Sequence, residues 1–175
     1  MGSGNDDNPV DTGTGVGFAE LGTLNQTLID EITAAGPTPL AEIPTMGGAT
    51  YNGTLLLGLQ DGSEDGVIGQ MEITANFVDK QLTGEASNFY DLEGDATAGT
   101  LSFENVVYET TLAGLITGDA SGTVDFQAGE MDIAAVVVGN FSGDAATYVS
   151  GIMSGSATPD GAAGIALIGG FYAKQ

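Results

Sequence analysis

Two apolar periods follow one another along this chain. Leu21, Leu24, Leu28 and Ile32, with Ile29 beside them, recur at three- and four-residue steps, while Glu20, Asn25, Gln26, Asp30 and Glu31 fall largely on the other side. That spacing predicts one amphipathic helix over residues 18–34, ended by Gly36-Pro37, because proline cannot carry the helical hydrogen-bond ladder further. A helix with one apolar stripe has to dock it, and the flank or end of the following sheet is the expected place; a partner protein is the alternative. Pro37, Pro39 and Pro44 then predict a stiff connector.

From about Thr50 the period becomes two. Met71, Ile73, Ala75 and Phe77 alternate with Gln70, Glu72, Thr74 and Asn76, the pattern of a half-buried strand. Val78-Asp79-Lys80 turns this strand into a second one, Gln81 to Phe89. Tyr51 to Leu59 precedes the pair, joined to it by the loop Asp61-Gly62-Ser63-Glu64-Asp65-Gly66. Further strands are predicted over Leu101–Tyr108, Leu112–Gly118 with an extension toward Phe126, Met131–Phe141, Tyr148–Ala157 and Ile165–Lys174. About eight short strands at hairpin spacing predict an all-β fold, an eight-stranded antiparallel up-and-down β-barrel preceded by one N-terminal amphipathic α-helix. A two-sheet sandwich is the other architecture the pattern permits. The expected organisation is a flexible acidic tail over 1–17, helix and proline-rich connector over 18–46, and barrel over 47–175.

Three runs break the alternation. Leu55-Leu56-Leu57, Ala134-Ala135-Val136-Val137-Val138 and Ile165-Ala166-Leu167-Ile168 are apolar on both faces. One face fills the barrel, and the other needs cover that the helix supplies only in part. Any exposed remainder marks an interaction surface. A membrane-spanning barrel is disfavoured, since the row Gln70, Glu72, Thr74, Asn76 would be costly against lipid and no aromatic girdles recur at strand ends.

Charge narrows the function classes. The chain has 175 residues, with 24 Asp and Glu against 2 Lys and Arg, a formal charge of −22. Phosphate backbones and anionic membranes are poor partners for such a surface; high-salt surroundings suit it. There is no cysteine and no histidine, so disulfides, thiolate metal sites, cysteine nucleophiles and the usual general base are absent. Serines therefore have no histidine base, no pair of carboxylates stands out for glycoside chemistry, and Gly118-Asp119-Ala120-Ser121-Gly122 lacks the lysine and following helix of a phosphate loop. No catalytic residue is predicted. The start, Met1-Gly2-Ser3-Gly4-Asn5-Asp6-Asp7-Asn8-Pro9, has two readings: a lipoprotein tether in which Met1 replaces an acylated cysteine, or a vector scar ahead of native residues.

Two glycine-aromatic segments in the last third carry a family resemblance. Gly139-Asn140-Phe141-Ser142-Gly143-Asp144-Ala145-Ala146 and Ile168-Gly169-Gly170-Phe171-Tyr172-Ala173-Lys174-Gln175 resemble the closing hairpin of the barrel in transferrin-binding protein B, factor H-binding protein and related surface lipoproteins. Ser142 stands where that family has tyrosine, Asp144 where it has proline, and Thr147 where it has an acidic residue. Val149 to Gly155 and Ala75-Asn76-Phe77 fit the same pattern, so the resemblance covers residues 47–175. It implies a surface barrel, exported to the bacterial outer-membrane surface on a lipid anchor or released outside the cell, that binds a partner: a protein, or a small apolar ligand such as haem. No partner-binding motif of the family matches, and no cofactor is implied.

Candidate ligand residues are few. Asp61, Ser63, Glu64 and Asp65 offer oxygens dense enough for calcium, although the loop is too short for an EF-hand; a solvated hairpin tip is the simpler reading. Asp6, Asp7 and Asp11 form a second acidic group in the tail. Tyr51, Tyr90, Tyr108, Tyr148 and Tyr172 are the residues that could ligate haem iron in a chain without histidine, with Met71, Met131 and Met153 as weaker candidates. Packing in the barrel is the competing role for each. The expected function is non-enzymatic capture of a protein or small ligand, with an acidic structural module or a lipocalin-like carrier as alternatives.

Overall fold

The computed structural model describes residues 16–110 and 114–175. The helix α1 spans Phe18–Ala35, and Gly36 ends it at φ 71° with its N–H on the Ile32 carbonyl at 3.0 Å. The strands are β1 (Gly48–Leu59), β2 (Gly66–Asn76), β3 (Gln81–Asp91), β4 (Ala96–Thr97), β5 (Gly99–Glu109), β6 (Leu115–Phe126), β7 (Gly129–Ser142), β8 (Tyr148–Pro159) and β9 (Ile165–Lys174). Each long strand pairs antiparallel with the next, and β9 returns to β1 with Leu55 opposite Phe171. The result is the expected closed eight-stranded meander; β4 only adds two residues beside β3. One strand is placed differently from expectation. It starts at Leu115 and runs to Phe126, while Leu112 lies outside the described residues, as do Asp6, Asp7 and Asp11.

Alternation decides what faces inward. Met71, Ile73 and Ala75 are buried, and Glu72, Thr74 and Asn76 between them are exposed. The same rule sends Leu55 and Leu57, Met131 and Ile133, Val149, Met153, Leu167 and Phe171 into one apolar core. The interior is filled. Among the described residues a void of about 10 Å³ opens within it, bounded by residues including Ile73, Phe103, Val137 and Phe171. A small-molecule pocket needs several hundred Å³, so this interior void is too small to hold a ligand as a lipocalin-like carrier would.

Glycine makes that filling feasible at one row. Gly139 lies opposite Gly151, and Gly151 opposite Phe171. A Cβ on Gly151 would meet the Phe171 ring at 2.5 Å, and one on Gly139 would meet it at 3.1 Å. The ring occupies the space that two side chains would otherwise take, which is the physical content of the glycine-aromatic pattern in the sequence.

The connector crosses one end of the barrel. Thr38 donates its N–H to the Phe141 carbonyl at 3.0 Å and its hydroxyl to the Gly143 carbonyl at 2.7 Å. Ile43 is buried with the core. Below it Tyr51, Phe77 and Tyr108 all pack on Phe141, with centroids 6.3, 6.0 and 5.3 Å away.

Candidate functional site

Helix α1 lies on the outside of the barrel against β1, β2 and β9, the flank position expected from its stripe. Leu21 and Leu28 are buried there, outside the interior core. So are two residues that face away from the barrel, Thr54 on β1 and Ile68 on β2. The Thr54 hydroxyl donates to Asn25 Oδ1 at 2.7 Å. At the start of the helix Phe18 packs on Tyr90, centroids 6.3 Å apart, and Asn88 Nδ2 donates to the Val16 carbonyl at 2.9 Å. Toward its end Glu31 Oε2 accepts from Lys174 Nζ at 2.8 Å and from the Tyr148 hydroxyl at 3.1 Å. These bonds hold the Glu31 carboxyl below its ordinary value and raise the Lys174 ammonium, whose chief cause is the same bond to Glu31. It is the single ion pair among the described residues.

Helix cover stops partway along a row of outward positions. Register places Tyr90, Ile68, Leu56, Gly170, Ile152 and Val138 side by side on β3, β2, β1, β9, β8 and β7. The next row toward the Ser63 loop adds Ile168 and Val136. Tyr90 and Ile68 belong to the covered half. In the other half Leu56 is 40% exposed, Val138 42%, Ile168 49%, Val136 54% and Ile152 59%. These five residues come from four adjacent strands, so the strip is about 14 Å wide at the usual spacing between strands. Gly170 has no side chain, and between Leu56 and Ile152 the Tyr172 ring lies over it, its hydroxyl 3.2 Å from where a Cβ would stand. Helix and strip together form an open groove of about 520 Å³, walled by Asn25 and Ile29 of α1, floored by Leu56, Ile152 and the Tyr172 ring over Gly170, with Glu64 and Leu92 also lining it.

The candidate ligand residues separate clearly. Tyr51 and Tyr108 lie in the core, and their hydroxyls donate to the carbonyls of Ala146 and Phe77 at 2.7 and 3.2 Å. Burial pushes both hydroxyls up in pKa. Tyr148 is engaged with Glu31 and Tyr90 with Phe18. Met71, Met131 and Met153 fill the interior. Tyr51, Tyr108 and the three methionines therefore take the packing role and have no access to a ligand, while Tyr90 and Tyr148 are half-buried contacts of α1; Tyr172 is the one of the five tyrosines that lines the groove.

Asp65 also has another role than calcium binding. Its carboxylate accepts from the N–H groups of Gln127 and Ala128 at 3.2 and 2.9 Å, tying the β1–β2 loop to the β6–β7 turn. Asp61 closes its own turn by accepting from the Ser63 N–H and hydroxyl, bonds that lower its pKa. The loop is thus a braced tip. A third acidic group went unnoticed in the sequence: Asp91, Glu93 and Asp95 bring carboxylate oxygens within 4.8 Å of one another. Asp91 already accepts from the N–H groups of Asp95 and Glu93, which depresses its pKa and fixes the turn between β3 and β4. A signal was present in the D-x-E-x-D spacing, though the same spacing is that of an ordinary Asx turn. Gly118 to Gly122 lie inside strand β6, not in a loop.

No helix among the described residues is long and apolar enough to cross a membrane. No family model and no curated protein matches the chain. Among solved structures it is similar to a variant of the vaccine antigen transferrin-binding protein B from Haemophilus parasuis Hp5, at TM-score 0.51 and 18% identity over 79% of this chain. The match spans 28% of that protein. At this identity the likeness establishes the fold, a barrel of the transferrin-binding-protein type.

Proposed function

We propose that this is a non-enzymatic binding protein of the bacterial surface or exterior, which holds an apolar part of its partner in the groove between α1 and the β9–β8–β7 wall. One observation carries the reading: the barrel is closed and filled, yet five large aliphatic residues stay exposed side by side on its outer wall. A soluble surface of this kind is ordinarily a contact surface. The fold shared with a transferrin-binding protein supports a capture role, and the acidic coat supports life in an aqueous exterior. Attachment by an N-terminal lipid belongs to the same proposal.

Titration with an environment-sensitive apolar dye tests the groove. Saturable fluorescence enhancement is expected, and it should be lost in the double variant Ile152→Ser, Ile168→Ser while the melting temperature is kept. Equal enhancement in the variant would overturn the reading. Haem is the competing occupant to test, since Tyr172, a residue type that can ligate iron, borders the groove. A Soret band that saturates with added haem and disappears in Tyr172→Phe would support it; no band would remove it.

A further inference from the structure

The groove has an apolar floor and an acidic setting with no cation in it. Glu64 is exposed at its loop end, where the Asp65 carboxylate is already taken up by the Gln127 and Ala128 N–H groups, and Asp119 of β6 lies directly opposite Val136 at the far side of the strip. No Lys or Arg lines it. The chain owns two lysines: Lys174 is bound to Glu31, and Lys80 sits in the β2–β3 turn beside Thr110. An anionic occupant, a fatty acid or the propionates of haem among them, would meet carboxylates at the rim and find no cation to pair with. Every long-range field around a body of charge −22 also repels anions and attracts cations. The same repulsion opposes a second copy of this chain, since two apolar strips could meet only by bringing two such bodies together.

Geometry narrows the class further. Helix α1 already covers half of the outward row, and the bare half beside it spans about 14 Å across the strands, the length of about two and a half helical turns. A second helix laid next to α1 would extend a layer that now stops at Leu56. We infer that, given the groove function proposed above, its occupant is a basic amphipathic polypeptide segment, with aliphatic side chains in the Leu56–Ile152–Ile168–Val138 strip and Lys or Arg facing Glu64 and Asp119. Apolar contact supplies the seat, and opposite charge supplies orientation and encounter rate.

The test uses the full chain and a labelled peptide, an amphipathic helix of roughly three turns built from leucine and lysine, followed by anisotropy. Saturable binding is expected that weakens at least about tenfold in Ile152→Ser, Ile168→Ser. It should weaken by several-fold in Glu64→Gln, Asp119→Asn, and fall as salt rises from about 50 to about 300 mM. A scrambled peptide of the same composition should bind far less. All four positions are exposed, and unchanged melting temperatures confirm that the variants fold. Equal binding of the scrambled peptide, indifferent to the serine variant, would reduce the effect to diffuse attraction and overturn the inference. If the same helix with glutamate for lysine, or haem, binds better and is lost in the serine variant, the groove function stands and the basic partner falls. If no probe responds to the serine variant, both fall.

Discussion

On β2 the residues that face away from the barrel along its second half are Glu72, Thr74 and Asn76; on β7, β8 and β9 they include Val136, Val138, Ile152 and Ile168. Both sets sit on the same closed sheet, behind the same filled core. On β2 the solvent-facing wall is polar where it is bare and apolar, at Ile68, where α1 covers it. That is the ordinary economy of a half-buried sheet. The β7–β9 wall departs from it, because its aliphatic residues lack the helix that Ile68 has. The difference separates residues that maintain the fold from residues that the fold merely displays.

Substitutions ranked by effect would sharpen or break this distinction. The largest belongs to neither wall and calibrates both: Phe171→Ala should cost about 3–5 kcal/mol, read by denaturant unfolding, because the glycines beside it cannot refill the space. On the covered wall, Leu28→Ala should cost about 2–3 kcal/mol and detach α1, seen as faster hydrogen exchange in the helix with the strands unaffected. Asp65→Ala should cost about 1–3 kcal/mol by leaving the N–H groups of Gln127 and Ala128 unpaired. Smaller still is an effect of pH. The Glu31 carboxyl is held below its ordinary 4.5, so its support for helix docking is complete above that value and fades as pH falls through the depressed one. Helix exchange rates should rise in that acid range, and Glu31→Gln should abolish the pH step. Lys174, shifted upward from 10.5, loses its share of the contact only at pH above that value. On the bare wall Ile152→Ser should leave stability within about 0.5 kcal/mol. A large loss there would show that the strip supports the fold, and the two walls would no longer differ in kind.

Much of this was legible in the sequence. The helix ends were read to within a residue because Gly36-Pro37 is an unambiguous stop and the apolar stripe is regular. Hairpins showed through strict alternation and glycine-rich turns, and the presence of an uncovered apolar face followed from runs such as Leu55-Leu56-Leu57. Its location did not. Leu56, Ile152 and Val138 become neighbours only through the register of β1, β9, β8 and β7, which periodicity does not specify. Local polar chemistry was read less well. Asp65 was read as part of a solvated hairpin tip, with calcium ligation as the alternative, whereas its carboxylate is buried on N–H groups of a distant turn. Glu31 looked like one more solvated acid, and its attachment to Lys174 depends on where the helix lands.

The pairing of β1 with β9 has a consequence for how the molecule forms. The first strand of the barrel cannot find its second neighbour until the last one, Ile165–Lys174, is available. Closure is therefore the most non-local event in folding, and contacts of that kind are slow. Until it happens the partly built sheet exposes two raw edges, on β1 and on β8, both open to pairing with other chains. A chain truncated before Ile165 should aggregate rather than fold as a smaller domain, and refolding should show a late phase that tracks the burial of Phe171.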